Sequence, residues 1–178
     1  MLPILLALAV IAILFIIVVT GQPDEFSIMR ATKISAPPET IFPHVNDLHA
    51  WEAWSPWAKL DPHSKITFSG PENGAGAAMA WAGNNKVGEG KMTITDSQPS
   101  RTIRLRLDFQ KPMQATNTAV FTFTPEGGGT GVTWAMSGKN SLVGKIFGLF
   151  MNCEKMVGCQ FEKGLASLKS VAETVGKN

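Results

Sequence analysis

The sequence has few of the residues that build disulfides and metal sites, with two cysteines and three histidines among 178 residues. Cys153 and Cys159 lie six residues apart in a segment with helical spacing, so their side chains point about 240° apart and cannot pair with each other. His44, His49 and His63 have no cysteine or acidic partner at metal-site intervals. These absences exclude a disulfide within the chain and predict no metal site, and free thiols agree with a reducing compartment.

Long runs of one charge are also missing. The formal net charge is +2, from 16 basic and 14 acidic residues spread along the chain. The densest basic stretch is Arg104 and Arg106, which alternate with Ile103, Leu105 and Leu107, as expected for the solvent side of a strand. Because no basic patch is available to contact phosphates, the sequence predicts no nucleic-acid partner.

Motifs for catalysis and for cofactors are absent as well. The chain has no Gly-x-Ser-x-Gly, no His-Glu-x-x-His and no phosphate loop, and Gly74-Ala-Gly76 has Met79 where a dinucleotide fingerprint needs a third glycine. Glu89 and Asp108 are embedded in predicted strands, but the alternation of side chains directs both towards solvent. The sequence therefore predicts no catalytic residue and no cofactor.

The chain does have a long apolar N-terminus. No ionisable side chain occurs from Met1 to Thr20, and a helix of this length covers roughly 30 Å, the thickness of the hydrocarbon core of a bilayer. A cleaved signal peptide is the alternative, and it normally has a basic start, a shorter apolar run and a small-x-small cleavage site. This chain has no basic residue before Arg30, and Val18-Val-Thr20 stands where the small residues would be.

We therefore expect a single membrane-spanning helix, Leu2 to Thr20, followed by one domain of ordinary size. Arg30 and Lys33 follow the span and only the terminal amine precedes it, which favours a cytoplasmic domain on the inner (cytoplasmic) membrane by the positive-inside rule. The expected divisions are an anchor at 1–21, a linker at 22–25 and the domain at 26–176.

Most of the domain consists of short alternating segments separated by turn residues, which is the pattern of an antiparallel meander. Alternation also assigns the faces of the sheet, so that Trp81, Met92, Leu105, Phe121 and Trp134 belong to the inner face. The predicted strands are 26–34, 65–69, 77–82, 87–96, 102–109, 116–124 and 131–137.

Three helices are expected around this sheet. Pro38 suits the first turn of a short helix that ends near Asn46, and a second short helix at Trp51–Trp57 is stopped by Ser55-Pro56. Apolar residues at three-and-four spacing predict one long amphipathic helix over Ser141–Val175, and its glycines predict a kink or a close backbone approach. The fold class is thus α+β: a helix grip, in which a curved antiparallel sheet wraps around a long C-terminal helix.

Three of the five tryptophans, Trp51, Trp54 and Trp57, fall within seven residues. Tryptophan packs well and carries a polar ring nitrogen, so such a cluster suggests either a wall of the core or the lining of an apolar pocket. Spacing of three places the rings on one side of the helical turn. Both interpretations remain open for Trp54, Trp57, Trp81 and Trp134.

Several short motifs occur in a fixed order along the domain. They are Ala36-Pro-Pro-Glu-Thr-Ile-Phe42, the tryptophan block followed by Asp61-Pro62, Gly88-x-Gly90, Thr130-Gly-Val-Thr-Trp134 after a glycine-rich turn, and Phe161-Glu-x-Gly164-Leu165-x-x-Leu168. In this order they resemble the START-like or Bet v 1-like (SRPBCC) superfamily, specifically its bacterial group of polyketide cyclase/dehydrase and lipid transport proteins. The resemblance covers residues 26–175.

The resemblance implies an internal cavity that holds hydrophobic molecules such as lipids, sterols or polyketides, and it implies no catalytic residue, because the superfamily shares no universal catalytic motif. Combined with the predicted inner face, the tryptophan block and the start of the last helix, it gives a set of candidate ligand-binding residues. They are Trp54, Trp57, Met79, Trp81, Leu107, Phe109, Asn117, Phe121, Trp134, Met136 and Phe150.

Three functions remain possible from the sequence. The first is a membrane-tethered carrier or sensor of a hydrophobic small molecule or lipid, which needs no reactive group and gains from tethering. The second is a cyclase or dehydratase, in which polar groups in a shaped cavity move protons. The third is a partner-binding domain without a ligand, which would have a solid core.

Overall fold

The computed structural model describes residues 1–150 and 153–175, without the side chains of Phe147, Phe150, Cys153 and Val175. It has an N-terminal helix, a seven-stranded sheet, two short helices after the first strand and two C-terminal helices. The helices are α1 (Leu2–Thr20), α2 (Pro38–Asn46), α3 (Trp51–Trp54), α4 (Leu142–Phe150) and α5 (Cys153–Val175). The strands are β1 (Glu25–Ile34), β2 (Lys65–Ser69), β3 (Ala78–Ala82), β4 (Glu89–Gln98), β5 (Thr102–Lys111), β6 (Ala115–Glu126) and β7 (Gly129–Lys139).

All seven strands form one antiparallel sheet in the order β1-β7-β6-β5-β4-β3-β2, so the predicted meander is confirmed. The β6–β7 hairpin extends further than the sequence pattern predicts, because pairing continues to Glu126 and Gly129. Gly127 and Gly128 between them both have positive φ, which is the backbone of a tight two-residue hairpin turn.

The inner face of the sheet carries the core, and the predicted alternation is confirmed. Met92, Leu105, Phe121 and Trp134 are buried, together with Phe161 of α5. The α5 helix lies across this face and contacts β1, β7, α2 and α3. This is the predicted helix grip of α+β class.

The two short helices are joined through their tryptophans. The Trp51 ring nitrogen donates to the Val45 carbonyl at 3.0 Å, and the Trp54 ring nitrogen donates to the His44 carbonyl at 2.8 Å. A 3-10 turn, Leu48–Ala50, connects α2 to α3. Both buried ring nitrogens are therefore satisfied, which fixes α3 against the end of α2.

The C-terminal segment is helical over Leu142–Phe150 and Cys153–Val175, in agreement with the amphipathic helix that the sequence predicts over Ser141–Val175. The first helix, α4, packs on the end of α1, because Lys145 reaches Asp24 at 2.5 Å and its carbonyl accepts the Gln22 amide at 3.1 Å. The second, α5, is attached to the edge strand β1, where Arg30 pairs with Glu154 at 2.8 Å and with Glu162 at 2.6 Å.

Among the described residues, α1 is the helix that is long and apolar enough to cross a membrane, with 19 residues and almost no buried surface. Val19 is its buried residue. A signal sequence near the N-terminus can meet the same criteria of length and apolarity, so these properties define a candidate span.

Candidate functional site

A cavity of about 230 Å³ lies between the inner face of the sheet and α5. It occupies the half of the sheet where β1 begins and where β5 and β7 end. At this end, Glu25 of β1 pairs with Lys139 of β7, and Phe109 of β5 pairs with Ala115 of β6. We call this the α1 end of the sheet. The opposite end is filled by buried side chains such as Ile34, Ile94 and Phe123.

One wall of the cavity is a stack of aromatic rings. Trp134 lies parallel to Phe161 with ring centroids 4.1 Å apart, and Trp57 meets Trp134 edge-on at 5.7 Å. Gly164 of α5 permits this stack, because a Cβ there would lie 2.8 Å from the Trp134 ring. The close backbone approach expected from the helix glycines is therefore found at Gly164.

A second part of the wall is built on β3, β4 and β5. The Trp81 ring meets Phe109 edge-on at 5.8 Å, and its nitrogen donates to the Val87 carbonyl at 3.3 Å. Gly90 leaves the room that this ring needs, since a Cβ at that position would lie 2.6 Å from it. Two tryptophans, Trp81 and Trp134, thus line the cavity, and each packs closely against a glycine.

The lining is almost entirely apolar. Its polar members among the described residues are Glu52, which is exposed, and the hydroxyls of Ser55 and Ser64. The charged residues of the strands face away from the cavity: Arg106 donates to Asp108 on the outer face and, with a bond from Thr116, lowers the pKa of that carboxyl. Such a cavity can hold an apolar molecule, and it offers no buried acid or base within the described lining.

Most of the candidate ligand-binding residues come together in this cavity. Trp54 and Phe121 lie behind its wall, fully buried, with ring centroids 5.6 Å and 4.8 Å from that of Trp134. The helix α3 carries Trp54 into the core, and the alternation of β6 directs Phe121 inwards. The side chain of Phe150 lies outside the described residues. The candidates that line the cavity are Trp57, Met79, Trp81, Leu107, Phe109, Trp134 and Met136.

Asn117 belongs to the inner face of β6, as predicted, but it does not line the cavity. Its side chain is 8% exposed, and its Oδ1 has no hydrogen-bond partner among the described residues. The oxygen lies over Gly138 of β7, where a Cβ would leave it no room. This is an uncompensated buried polar atom next to an apolar cavity.

Sequence reasoning did not select several residues of the lining. Met92, Leu105 and Ala119 share the predicted inner face, so the alternation contained the signal for them. Val157 and Phe161 belong to the periodic apolar face of α5, which predicts burial without distinguishing core from cavity. The remaining ones, Trp51, Glu52, Ser55, Ala58, Ser64, Ile66 and Val87, come from short helices, loops and strand ends.

No set of His, Cys, Asp and Glu side chains within residues 1–150 and 153–175 is arranged to hold a metal ion.

The family model described as polyketide cyclase / dehydrase and lipid transport matches residues 25–173. No curated protein matches the chain significantly.

Solved structures share the fold at low sequence identity. A protein from Chromobacterium violaceum is 15% identical, with a TM-score of 0.60 over 85% of this chain and 99% of that one. Ara h 8.0201 is 9% identical, with a TM-score of 0.58 over 84% and 99%. StfQ, a di-domain ARO/CYC protein from the steffimycin biosynthetic pathway, is 10% identical, with a TM-score of 0.62 over 86% and 52%. The architecture is the Bet v 1-like helix grip.

Proposed function

Because the chain belongs to the polyketide cyclase/dehydrase and lipid transport family, we propose that it is a membrane-anchored domain that binds a hydrophobic small molecule or a lipid in its internal cavity. The observation that carries the proposal is the cavity itself, which has aromatic and aliphatic walls and no buried charge among its described residues. Apolar lining with few polar groups is typical of sites for small hydrophobic ligands.

The size of the cavity limits the ligand. Its volume of about 230 Å³ is below the roughly 300–1,000 Å³ of sites that enclose drug-sized molecules. A small apolar molecule or a length of one acyl chain therefore fits better than a whole two-chain lipid. Binding would bury the walls from water, which supplies the main favourable free energy.

The proposed anchor is α1, within residues 1–21, followed by a linker at 22–25 and the binding domain at 26–176. Its 19 residues give a length of about 28 Å, close to the roughly 30 Å of the hydrocarbon core. Arg30 and Lys33 favour a cytoplasmic domain on the inner membrane. A reporter fused after Asn178 tests this orientation, which would be wrong if the domain were protected from protease in inside-out vesicles.

Binding is favoured over the two alternatives by the same lining. A cyclase or dehydratase needs a general acid or base within hydrogen-bond reach of its substrate, and the ionisable residue of the described lining, Glu52, is exposed to solvent. A domain that only binds partners would need no cavity beneath α5. The mechanism proposed for this chain is thus enclosure between the Trp81 wall and the Trp134 wall.

The experiment is native mass spectrometry, with organic extraction, of the full chain purified from its own membranes. We expect a stoichiometric apolar molecule in the wild type. Ala119→Leu should reduce it to a minor fraction, because the added side chain would fill the cavity that Ala119 lines. Ala135→Leu is the matched control, since Ala135 alternates with the inward-facing Trp134 and Met136 on β7.

Two results would count against the proposal. An empty cavity in wild-type protein extracted gently from its membranes would favour a partner-binding domain. Equal retention of the apolar molecule by Ala119→Leu and Ala135→Leu, both folded, would place the molecule elsewhere on the protein.

A further inference from the structure

Apolar side chains remain exposed where α4 and the strand ends meet α1. On α4, Leu142 is 62% exposed, Val143 48% and Leu149 38%. Met113 in the β5–β6 turn and Leu60 in the loop before β2 are exposed as well, and both loops adjoin the α1 end of the sheet. An exposed apolar cluster of this kind marks an interaction surface.

The exposed large apolar residues of α4 share one side of the helix. At 100° per residue, Leu142, Val143 and Leu149 fall within an arc of roughly 120°. Lys145 falls outside this arc; it is 7% exposed and is held by Asp24. The helix is therefore attached through Lys145 and presents these apolar side chains outwards.

The attachment point of α4 is the end of α1. Gln22, two residues after α1, donates to the Lys145 carbonyl, and Asp24 pairs with the Lys145 ammonium. Any molecule that covers the apolar side of α4 therefore lies beside the point where α1 ends. If α1 spans a bilayer, that point is the surface of the bilayer.

We propose that α4, with the neighbouring β5–β6 turn, lies in the interfacial layer of the same bilayer that α1 spans. The inference rests on the proposed anchor and deepens the proposed function. A helix with exposed apolar side chains along one side and its one lysine paired with a carboxylate suits the boundary between headgroups and acyl chains. The cavity lies at the same end of the sheet, so its ligand would exchange with lipid over a short path.

The test uses the full chain in nanodiscs of phosphatidylethanolamine and phosphatidylglycerol, with Cys153 and Cys159 replaced by serine. Nitroxide labels are placed singly at Val143→Cys and Leu149→Cys. Thr122→Cys, on the outer face of β6, is the water-exposed control, and Ile11→Cys in α1 reports the span. Collision with oxygen and with a water-soluble nickel chelate is measured for each label by electron paramagnetic resonance.

We expect the two α4 labels to collide several-fold less with the nickel chelate, and more with oxygen, than the Thr122 label. The Ile11 label should be shielded further from nickel. Nickel access at the α4 labels equal to that at Thr122, with Ile11 in lipid, would overturn the inference and leave the anchor intact. Nickel access at Ile11 would instead overturn the anchor itself.

A protein surface covering α4 gives a different signature. Labels shielded from both oxygen and nickel would indicate a protein contact, and would also overturn the inference. Spin–spin broadening that disappears on dilution with unlabelled protein would identify the covering surface as a second copy of this chain.

Discussion

Asn117 is the residue whose chemistry fits its surroundings least. Its Oδ1 is buried without a hydrogen-bond partner among the described residues, and such an atom costs about 1–3 kcal/mol of desolvation. We expect Asn117→Leu, which keeps the branching and the number of heavy atoms, to raise the free energy of unfolding by about 1 kcal/mol. Thermal unfolding of the purified full chain in detergent, followed by tryptophan fluorescence, checks this.

Asn46 provides the matched control for Asn117. Its Oδ1 accepts a hydrogen bond from the Ser97 hydroxyl at 2.6 Å, so Asn46→Leu should lower the unfolding temperature. A loss of stability in Asn117→Leu as large as in Asn46→Leu would show that the Asn117 oxygen has a partner, such as a bound molecule retained in purification.

Gly164 decides how closely α5 approaches the aromatic wall. Alanine would add up to about 1 kcal/mol of helix propensity, but its Cβ would lie 2.8 Å from Trp134, whose ring is stacked between Phe121 and Phe161. Overpacking of this kind costs about 1–3 kcal/mol, so we expect Gly164→Ala to be destabilising.

Gly148 of α4 is the comparison for Gly164, since both glycines lie within helices. A Cβ at Gly148 would meet its nearest neighbour, Gln22, at an ordinary 3.5 Å, so Gly148→Ala should be neutral or stabilising in the same unfolding assay. Equal effects of the two alanines would mean that helix propensity, and not the contact with Trp134, sets the sign.

At the scale of elements, Arg30 joins β1 to α5, because its guanidinium donates hydrogen bonds to both Glu154 and Glu162. These bonds raise the pKa of Arg30, the larger cause being its bond to Glu154. The guanidinium is charged at every ordinary pH, so salt rather than acid is the useful variable. We expect Arg30→Met to lower the unfolding temperature at low salt, and to lower it by a smaller amount at high salt.

Arg104, on the outer face of β5, is the control for Arg30, because no ion pair joins it to another described residue. Arg104→Met should change the unfolding temperature little at either salt concentration. The interpretation fails if the Arg30→Met difference is independent of salt, since the loss would then come from the packing of its aliphatic stem.

The sheet could be predicted from the sequence because its signals are local. Alternation in β6 places Ala119, Phe121 and Phe123 inwards whatever their partners are, and turn residues mark where each strand stops. The β6–β7 hairpin was predicted too short, because its length depends on the positive φ of Gly127 and Gly128, which composition alone does not determine.

The attachment of the C-terminal segment could not be predicted in the same way. Apolar spacing continues from Ile146 to Leu168 without a change of period, so the local pattern predicts helix. It does not predict that Lys145 pairs with Asp24, which lies 121 positions earlier. A contact at that separation leaves no periodic trace in the sequence.

The cavity was predictable as a face of the sheet but not residue by residue. Trp54 and Trp57 have the same residue type and helical spacing, yet Trp54 is fully buried and Trp57 lines the cavity. The difference arises at Ser55-Pro56, where the chain leaves α3. Whether a side chain fills the core or borders a void depends on the packing of both layers, which no single segment encodes.

For the molecule as a whole, pH should act through groups outside the cavity. Partial burial lowers the pKa of His44 below its ordinary 6.5. The unfolded state then binds a proton more readily than the folded state, so stability falls as pH falls through 6.5 towards the lower folded pKa. Lys145 lowers the pKa of Asp24, and Arg106 lowers the pKa of Asp108. The stability that these two carboxylates contribute is therefore lost only at more acidic pH.

The expected result is therefore a loss of unfolding temperature in two stages as pH falls from 7, with His44 responsible for the first. His44→Gln should flatten the profile between pH 7 and pH 5 and leave the acid limb below the ordinary aspartate pKa of 3.8 unchanged, because glutamine does not titrate. Melting curves of both proteins across this range in detergent provide the measurement. If the unfolding temperature of His44→Gln fell with pH as steeply as that of the wild type above pH 5, the first stage would belong to another group. If it fell more steeply, protonated His44 would be stabilised in the fold.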